Sequence, residues 1–272
     1  MEEILNKNII DYKFSTTEYQ RLLEKIVDAI KENKNIIKEA NKIDLKYYNR
    51  KVELSKIEEI IEKYRNDEIR NNQNMKKCLI EFNGDIYITI QLCIWAILNK
   101  KKIILDINNY LVALNTVIVK IVNIELKKYG IENMISIYEL EGIEEIEKNA
   151  KNLDQIICID DSDIYNEIGE IEPEKTRLIK FNSIDLYCDD DDLVELRDMV
   201  CDYARNNHWQ LELFDDEEKN KVADIIKKHG EGAIVILLSQ DKELQDDFKN
   251  KLLDRELYIN KFPFDETKKI KI

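Results

Sequence analysis

The chain has 272 residues and a formal net charge of −14, with 44% hydrophobic and 36% charged residues. Such a composition fits a folded core under a heavily charged surface, and the acidic excess argues against binding nucleic acid or an anionic membrane surface through bulk electrostatics. Only 6 Gly and 2 Pro occur. Their scarcity argues against collagen-like, linker-rich and small all-β designs, and it lowers the expectation of a phosphate site, where glycine lets backbone approach a ligand closely.

The first residues, MEEILNKNIIDYKF, lack a basic stretch followed by an apolar one, and no window has the length needed to span a bilayer. A cytoplasmic protein is expected. Ser15 with Glu18 and Ser55 with Glu58 read as capping boxes that open helices. Tyr19, Leu22, Leu23, Ile26, Ala29 and Ile30 then recur at helical spacing over 16–33, and Ile57, Ile60, Ile61 and Tyr64 do the same further on.

After residue 75 the pattern changes to short apolar runs between longer amphipathic stretches. Strands are expected at Cys78 to Phe82, Ile103 to Ile107, Ile135 to Tyr138 and Gln155 to Ile159, with helices over 86–99, 111–128 and 142–150. Strand and helix alternating in this way require crossovers, so the reading is an α/β chain with a doubly wound, Rossmann-like parallel sheet. Beyond the runs Leu178 to Phe181 and Ile184 to Cys188, the aspartates Asp189 to Asp192 suit the N-terminus of a helix over 190–206 better than a metal. A helix over 216–229, a strand Ala233 to Leu238, a helix over 241–253 and a strand Leu257 to Asn260 complete the order. Two domains are expected, 1–182 and 183–272.

Several of these strings, taken in order, resemble the aldehyde dehydrogenase superfamily, most closely its glutamyl-phosphate reductase branch. Ser15 to Leu45 is similar to the branch's N-terminal helices, down to the phrase Ala40, Asn41, Lys42, Ile43, Asp44, Leu45. Lys102 to Asn115 resembles the strand and helix of the dinucleotide pocket, Tyr187 to Arg205 the approach to the catalytic cysteine, and Gly232 to Phe264 the late strand, helix and Asn-containing strand. The resemblance implies a second, catalytic-type α/β subdomain, here truncated between Glu212 and Ala233, and an NAD(P)-dependent thiolate chemistry.

The chemistry does not carry over residue by residue. The nucleophile's place falls on Glu212, or on Leu211 if the register slips by one, and Cys201 lies earlier, inside an expected helix. Asn83 is out of place for the oxyanion-stabilising asparagine and reads as a turn residue before Gly84. Lys100 and Lys101 stand for the family's Gly-Asn, and Asp106, Ile107, Asn108 and Asn109 for its small residues and ribose-contacting lysine. Asp160, Asp161, Ser162 and Asp163 stand for a glycine-rich turn, where they would cap a helix and repel a pyrophosphate. All six glycines are expected at element ends.

The remaining residues read as structural. The five cysteines are expected to be reduced core thiols, and Tyr47, Tyr48 and the face of Trp95 belong to the core rather than to a base-stacking platform. His208 suits a turn, His229 a helix end, and Lys268, Lys269 and Lys271 a protected strand edge, so no metal site is expected. The expected function is that of a catalytically inactive relative that binds or assembles with a protein partner or with itself, with no cofactor, nucleic acid or membrane. The alternatives are an oxidoreductase that uses NAD or NADP through a non-standard site, and a small-ligand sensor.

Overall fold

The computed structural model describes residues 1–7, 12–44, 52–71, 75–82, 84–107, 112–160, 162–181, 183–207, 209–214, 221–228, 232–253 and 255–262, without the side chains of 162–164, 207 and 228. Asn83, Asn108, Asn109, Asp161, His208, His229, Tyr47, Tyr48 and the C-terminal lysines lie outside them, as do the side chains of Ser162 and Asp163. Two compact units are present, Met1–Arg177 and Leu178–Ile272.

The first unit opens with helices α1 (Glu2–Asn6), α2 (Thr16–Glu32), α3 (Lys34–Asp44) and α4 (Leu54–Lys63). At α2 the expected capping box forms: Ser15 Oγ accepts from the Glu18 N–H at 3.2 Å and Glu18 Oε2 from the Ser15 N–H at 2.8 Å. The second box does not form, because α4 starts at Leu54 with Glu53 as its N-cap. Ser55 then falls inside the first turn, past the position from which a side chain can cap.

The sheet of this unit follows as β1 (Lys76–Phe82), α5 (Ile86–Asn99), β2 (Lys101–Ile107), α6 (Val112–Lys128), β3 (Ile135–Tyr138), α7 (Ile143–Asn149), β4 (Gln155–Ile159), α8 (Ser162–Ile171) and β5 (Thr176–Ile179). Strand order is β3-β2-β1-β4-β5. β1 is parallel to both β2 and β4, with Leu79 beside Ile104 and Ile156. The order reverses at β1 and β4, as a doubly wound sheet requires.

Every residue of α5 except Tyr87 is buried. A helix apolar on all sides must be covered on all sides, and the N-terminal segment supplies the second cover. Tyr64 Oη donates to Gln91 Oε1 at 2.8 Å and Tyr12 Oη to the Ile97 carbonyl at 2.9 Å. Tyr19 Oη in turn donates to the Tyr64 carbonyl at 3.0 Å, tying α2 to the end of α4. Trp95 is in this core, as expected.

The second unit contains β6 (Ser183–Cys188), α9 (Val194–Asn207), β7 (Gln210–Phe214), α10 (Val222–Lys228), β8 (Ile234–Leu238), α11 (Lys242–Lys251) and β9 (Glu256–Ile259). These strands form an all-parallel sheet in the order β7-β6-β8-β9. Alternation sorts its side chains into two cores. Tyr187, Val235 and Leu237 pack with Val222, Ile226 and Phe248 of α10 and α11, while Ile184, Leu186, Ile234 and Ile236 pack with Val200 and Ala204 of α9.

Leu211 and Glu212 lie in β7, paired with Ile184 and Asp185 of β6. Between Glu212 and Ala233 the described residues hold the end of β7 and the helix α10. One expectation changes here. Gly169 is inside α8 rather than at an element end.

Candidate cofactor crevice

In a doubly wound sheet, ligands bind beyond the carboxyl ends of the strands where the order reverses. In the first unit that place lies beyond the ends of β1 and β4. Gly84 occupies the turn after β1 with φ +79°, and Asp160 the turn after β4 with φ +61°. Asp160 thus adopts the left-handed backbone that the sequence reading assigned to a glycine-rich turn, which aspartate tolerates better than most residues. Lys100, with φ +50°, does the same at the C-cap of α5, where the resemblance places a glycine.

A phosphate at the start of α5 or α6 would need the free N–H groups there. Both helices have them engaged by carboxylates. Asp85 caps α5, accepting from Tyr87 N–H at 2.8 Å and Ile88 N–H at 3.3 Å. At α6 the acceptor comes from another element: Asp44, the buried last residue of α3, takes Leu114 N–H at 2.9 Å together with Ala113 N–H. Burial raises the Asp44 carboxyl from its ordinary value, and the two N–H groups oppose the rise.

Asn115 locks the same turn. Its Nδ2 donates to the Gly84 carbonyl at 2.7 Å, and its Oδ1 accepts from the Thr89 hydroxyl. Asp106, near the end of β2, accepts from Leu140 N–H at 3.0 Å. Burial raises its carboxyl, Leu140 lowers it, and Glu139 and Glu145 raise it further. Tyr138 donates to Glu145, a bond that pushes the phenol up to about 12. The edge of the sheet is thus lined by acids already bound to the chain's own donors.

Sequence reasoning placed Asp106 and Asp160 here. It missed Asp44, Asp85, Thr89 and Asn115 as members of one network. Asp85 carried a visible signal, an aspartate directly before an apolar helix. Asp44 stood out only as part of the phrase shared with the family, and its partner, 70 positions away, gave no sign of the cap.

The thiols lie elsewhere. Cys78, Cys93 and Cys158 are buried, and Cys188 and Cys201 half-buried, all as free cysteines. Burial pushes Cys78 up to about 11 and Cys93 to about 12. Cys201 is within α9, and burial raises it as well. An activated nucleophile shifts the opposite way. In the second unit Glu212 pairs with the buried Lys180 at 3.7 Å. Among the described residues, no group of three or more His, Cys, Asp or Glu is placed to hold a metal ion, and no helix is long and apolar enough to cross a membrane.

The chain has the fold of the aldehyde dehydrogenase superfamily. Within it, the γ-glutamyl phosphate reductase of Thermotoga maritima superimposes with a TM-score of 0.60 at 12% identity, over 95% of this chain and 84% of that one. The corresponding enzyme of Saccharomyces cerevisiae gives 0.48 at 18% identity over 94% and 77%, and a propionaldehyde dehydrogenase of Rhodopseudomonas palustris gives 0.49 at 10% over 92% and 60%. No protein-family model matches the chain, and no curated protein is similar to it.

Proposed function

We propose that the chain is a catalytically inactive protein on an aldehyde dehydrogenase-type fold, acting in the cytoplasm by binding or assembly with a protein partner or a second copy of itself. The observation that carries this reading is the state of the nucleophile's place. Leu211 and Glu212 are held in the backbone ladder of β7, and Glu212 faces Lys180 as an ion-pair partner. Acyl or aldehyde chemistry by the family's route needs a thiolate on a positioned loop, and Cys201, in α9 with a raised pKa, is a poor replacement.

The cofactor side agrees. A dinucleotide's pyrophosphate would meet Asp160 in the left-handed turn after β4, where the resemblance places glycine, and would find the starts of α5 and α6 held by Asp85 and Asp44. The residues present do not fit NAD or NADP. In this reading 1–182 is the cofactor-type domain put to another use, and 183–272 the remnant of the catalytic one.

Titration calorimetry with NAD, NADP and their reduced forms tests the reading, with no heat of binding expected. Micromolar affinity for any of them overturns it in favour of an oxidoreductase. Sedimentation showing a strict monomer at all concentrations removes self-assembly and leaves the protein partner.

A further inference from the structure

The crossovers of the first unit sort its helices onto two faces. The chain steps from β1 to β2 to β3 in one direction and then returns past β1 to β4. Right-handed connections therefore put α5 and α6 on one face of the sheet and α7 and α8 on the other. α5 packs with α6, and α7 with α8, as this requires, and α3 lies on α6. Charge follows the same division. α3 and α6 hold six lysines and three acids, whereas α7 and α8 hold six acids and one lysine. Lys34, Lys38 and Lys120 are exposed and have no ion-pair partner among the described residues, and the same is true of Glu144, Glu147, Glu167 and Glu170 on the opposite face. On the two basic helices Ile36, Ile43 and Ile124 are each more than half exposed. Single apolar side chains in water are ordinary, but three on a packed helix pair beside unpaired charge mark a surface that another protein covers.

We propose that the α3–α6 face of one copy docks on the α7–α8 face of a second, so that the chain associates head to tail through its first unit. The proposal rests on the self-assembly reading above and names its surfaces. Charge complementarity selects a second copy as the occupant: a basic face on a chain of net charge −14 finds its opposite on the far side of the same sheet. The unpaired charges set the register and speed the encounter, and the isoleucines supply apolar area to bury. Because the two surfaces differ, the contact is heterologous and repeats into a ring or an open chain.

Sedimentation velocity in about 50 and 500 mM sodium chloride tests the contact. A chain of net charge −14 repels its copies, so general screening strengthens association as salt rises, whereas docking of opposite faces is weakened by it. Weakening by roughly tenfold is expected. Two variants separate the faces: Lys34→Glu with Lys38→Glu and Lys120→Glu, and Glu144→Lys with Glu147→Lys, Glu167→Lys and Glu170→Lys. All seven positions are exposed, and circular dichroism checks the fold. Each variant alone is expected to associate about tenfold more weakly than the wild type, the second in spite of its smaller net negative charge. An equimolar mixture is expected to recover association, because each variant keeps the face the other lacks. A wild type that stays monomeric, association that grows with salt, a second variant that associates as well as the wild type, or a mixture that stays apart overturns the proposal. A monomeric wild type that binds phosphatidylserine vesicles would give the basic face to a lipid surface instead. Should a variant not fold, the sign of the salt dependence in the wild type decides. Association that ignores these reversals sinks this contact and leaves the functional reading standing, whereas binding of NAD(P) sinks that reading and leaves the contact to the salt and mixing results.

Discussion

The ammonium of Lys102, near the start of β2, donates to the main-chain carbonyl of Lys7 over 2.7 Å. It also bonds the carbonyls of Ile4 and Leu5, so one buried cation closes the C-terminal end of α1, where unpaired carbonyls gather partial negative charge. Burial, reinforced by Lys77 and Lys7, brings this ammonium down to about 8. A lysine depressed in the fold is penalised when charged, so the stability it contributes is smallest below about 8 and rises as pH climbs toward the ordinary lysine value. Urea denaturation of the wild type and Lys102→Met across that range is expected to show the difference moving in favour of the wild type. A difference that does not vary with pH refutes the assignment.

Asp106 gives the opposite slope. Its carboxyl is raised by burial, so the contribution it makes is full at acid pH and lost as pH rises through its folded value. Asparagine keeps an acceptor for Leu140 N–H without the charge. Asp106→Asn is therefore expected to melt above the wild type at neutral pH, and the advantage is expected to vanish near the ordinary aspartate value of about 4. A variant less stable at neutral pH would show that the ionised carboxylate is favoured.

Phe248 of α11 is fully buried, with its ring 6.3 Å from that of Tyr187. Truncation to alanine removes most of a side chain from a core that cannot collapse around the gap, and such changes cost about 3–5 kcal/mol. Chemical denaturation of Phe248→Ala is expected to show a loss of this size in the second unit. A loss below about 1 kcal/mol would mean that this face of the sheet is loosely packed.

Gly232, just before β8, adopts φ +95°, and a β-carbon there would lie 2.7 Å from the Lys180 carbonyl oxygen. Both the conformation and the space require glycine. Gly232→Ala is expected to destabilise the second unit by at least the ~1–3 kcal/mol of a strained backbone, whereas Gly130→Ala meets no atom within 4 Å and carries only the strain of φ +76°. Comparing the two melting curves separates the clash from the conformational cost.

Most of the fold was legible because parallel strands buried on both faces read as uninterrupted apolar runs. The runs at 135–138 and 155–159 match β3 and β4 to the residue. β7 was not legible. Gln210 and Glu212 are exposed on an edge strand, and its state is set by the ladder with β6, a partner some 27 positions earlier. The aspartates at 189–192 behaved as their charge suggested, Asp190 accepting from Asp192 N–H ahead of α9. The crevice was legible only in part: acids at the ends of β2 and β4 can be read locally, while the Asp44 cap depends on the packing of α3 against α6.

The thiols offer a direct check on burial. Cys188 and Cys201 are expected to react with a thiol reagent under native conditions, and Cys78, Cys93 and Cys158 only after unfolding. Native labelling of all five would show that α5 and the strands β1 and β4 open readily.

The enclosure of α5 bears on how the chain is made. Its 14 residues include Ile86, Ile88, Ile90, Ile94, Trp95 and Ile97, and it leaves the ribosome after α2, α3 and α4 but before most of the sheet on which it lies. The described N-terminal residues thus set the environment of α5, and a version lacking them would leave the face that Tyr12 and Tyr64 cover open to water.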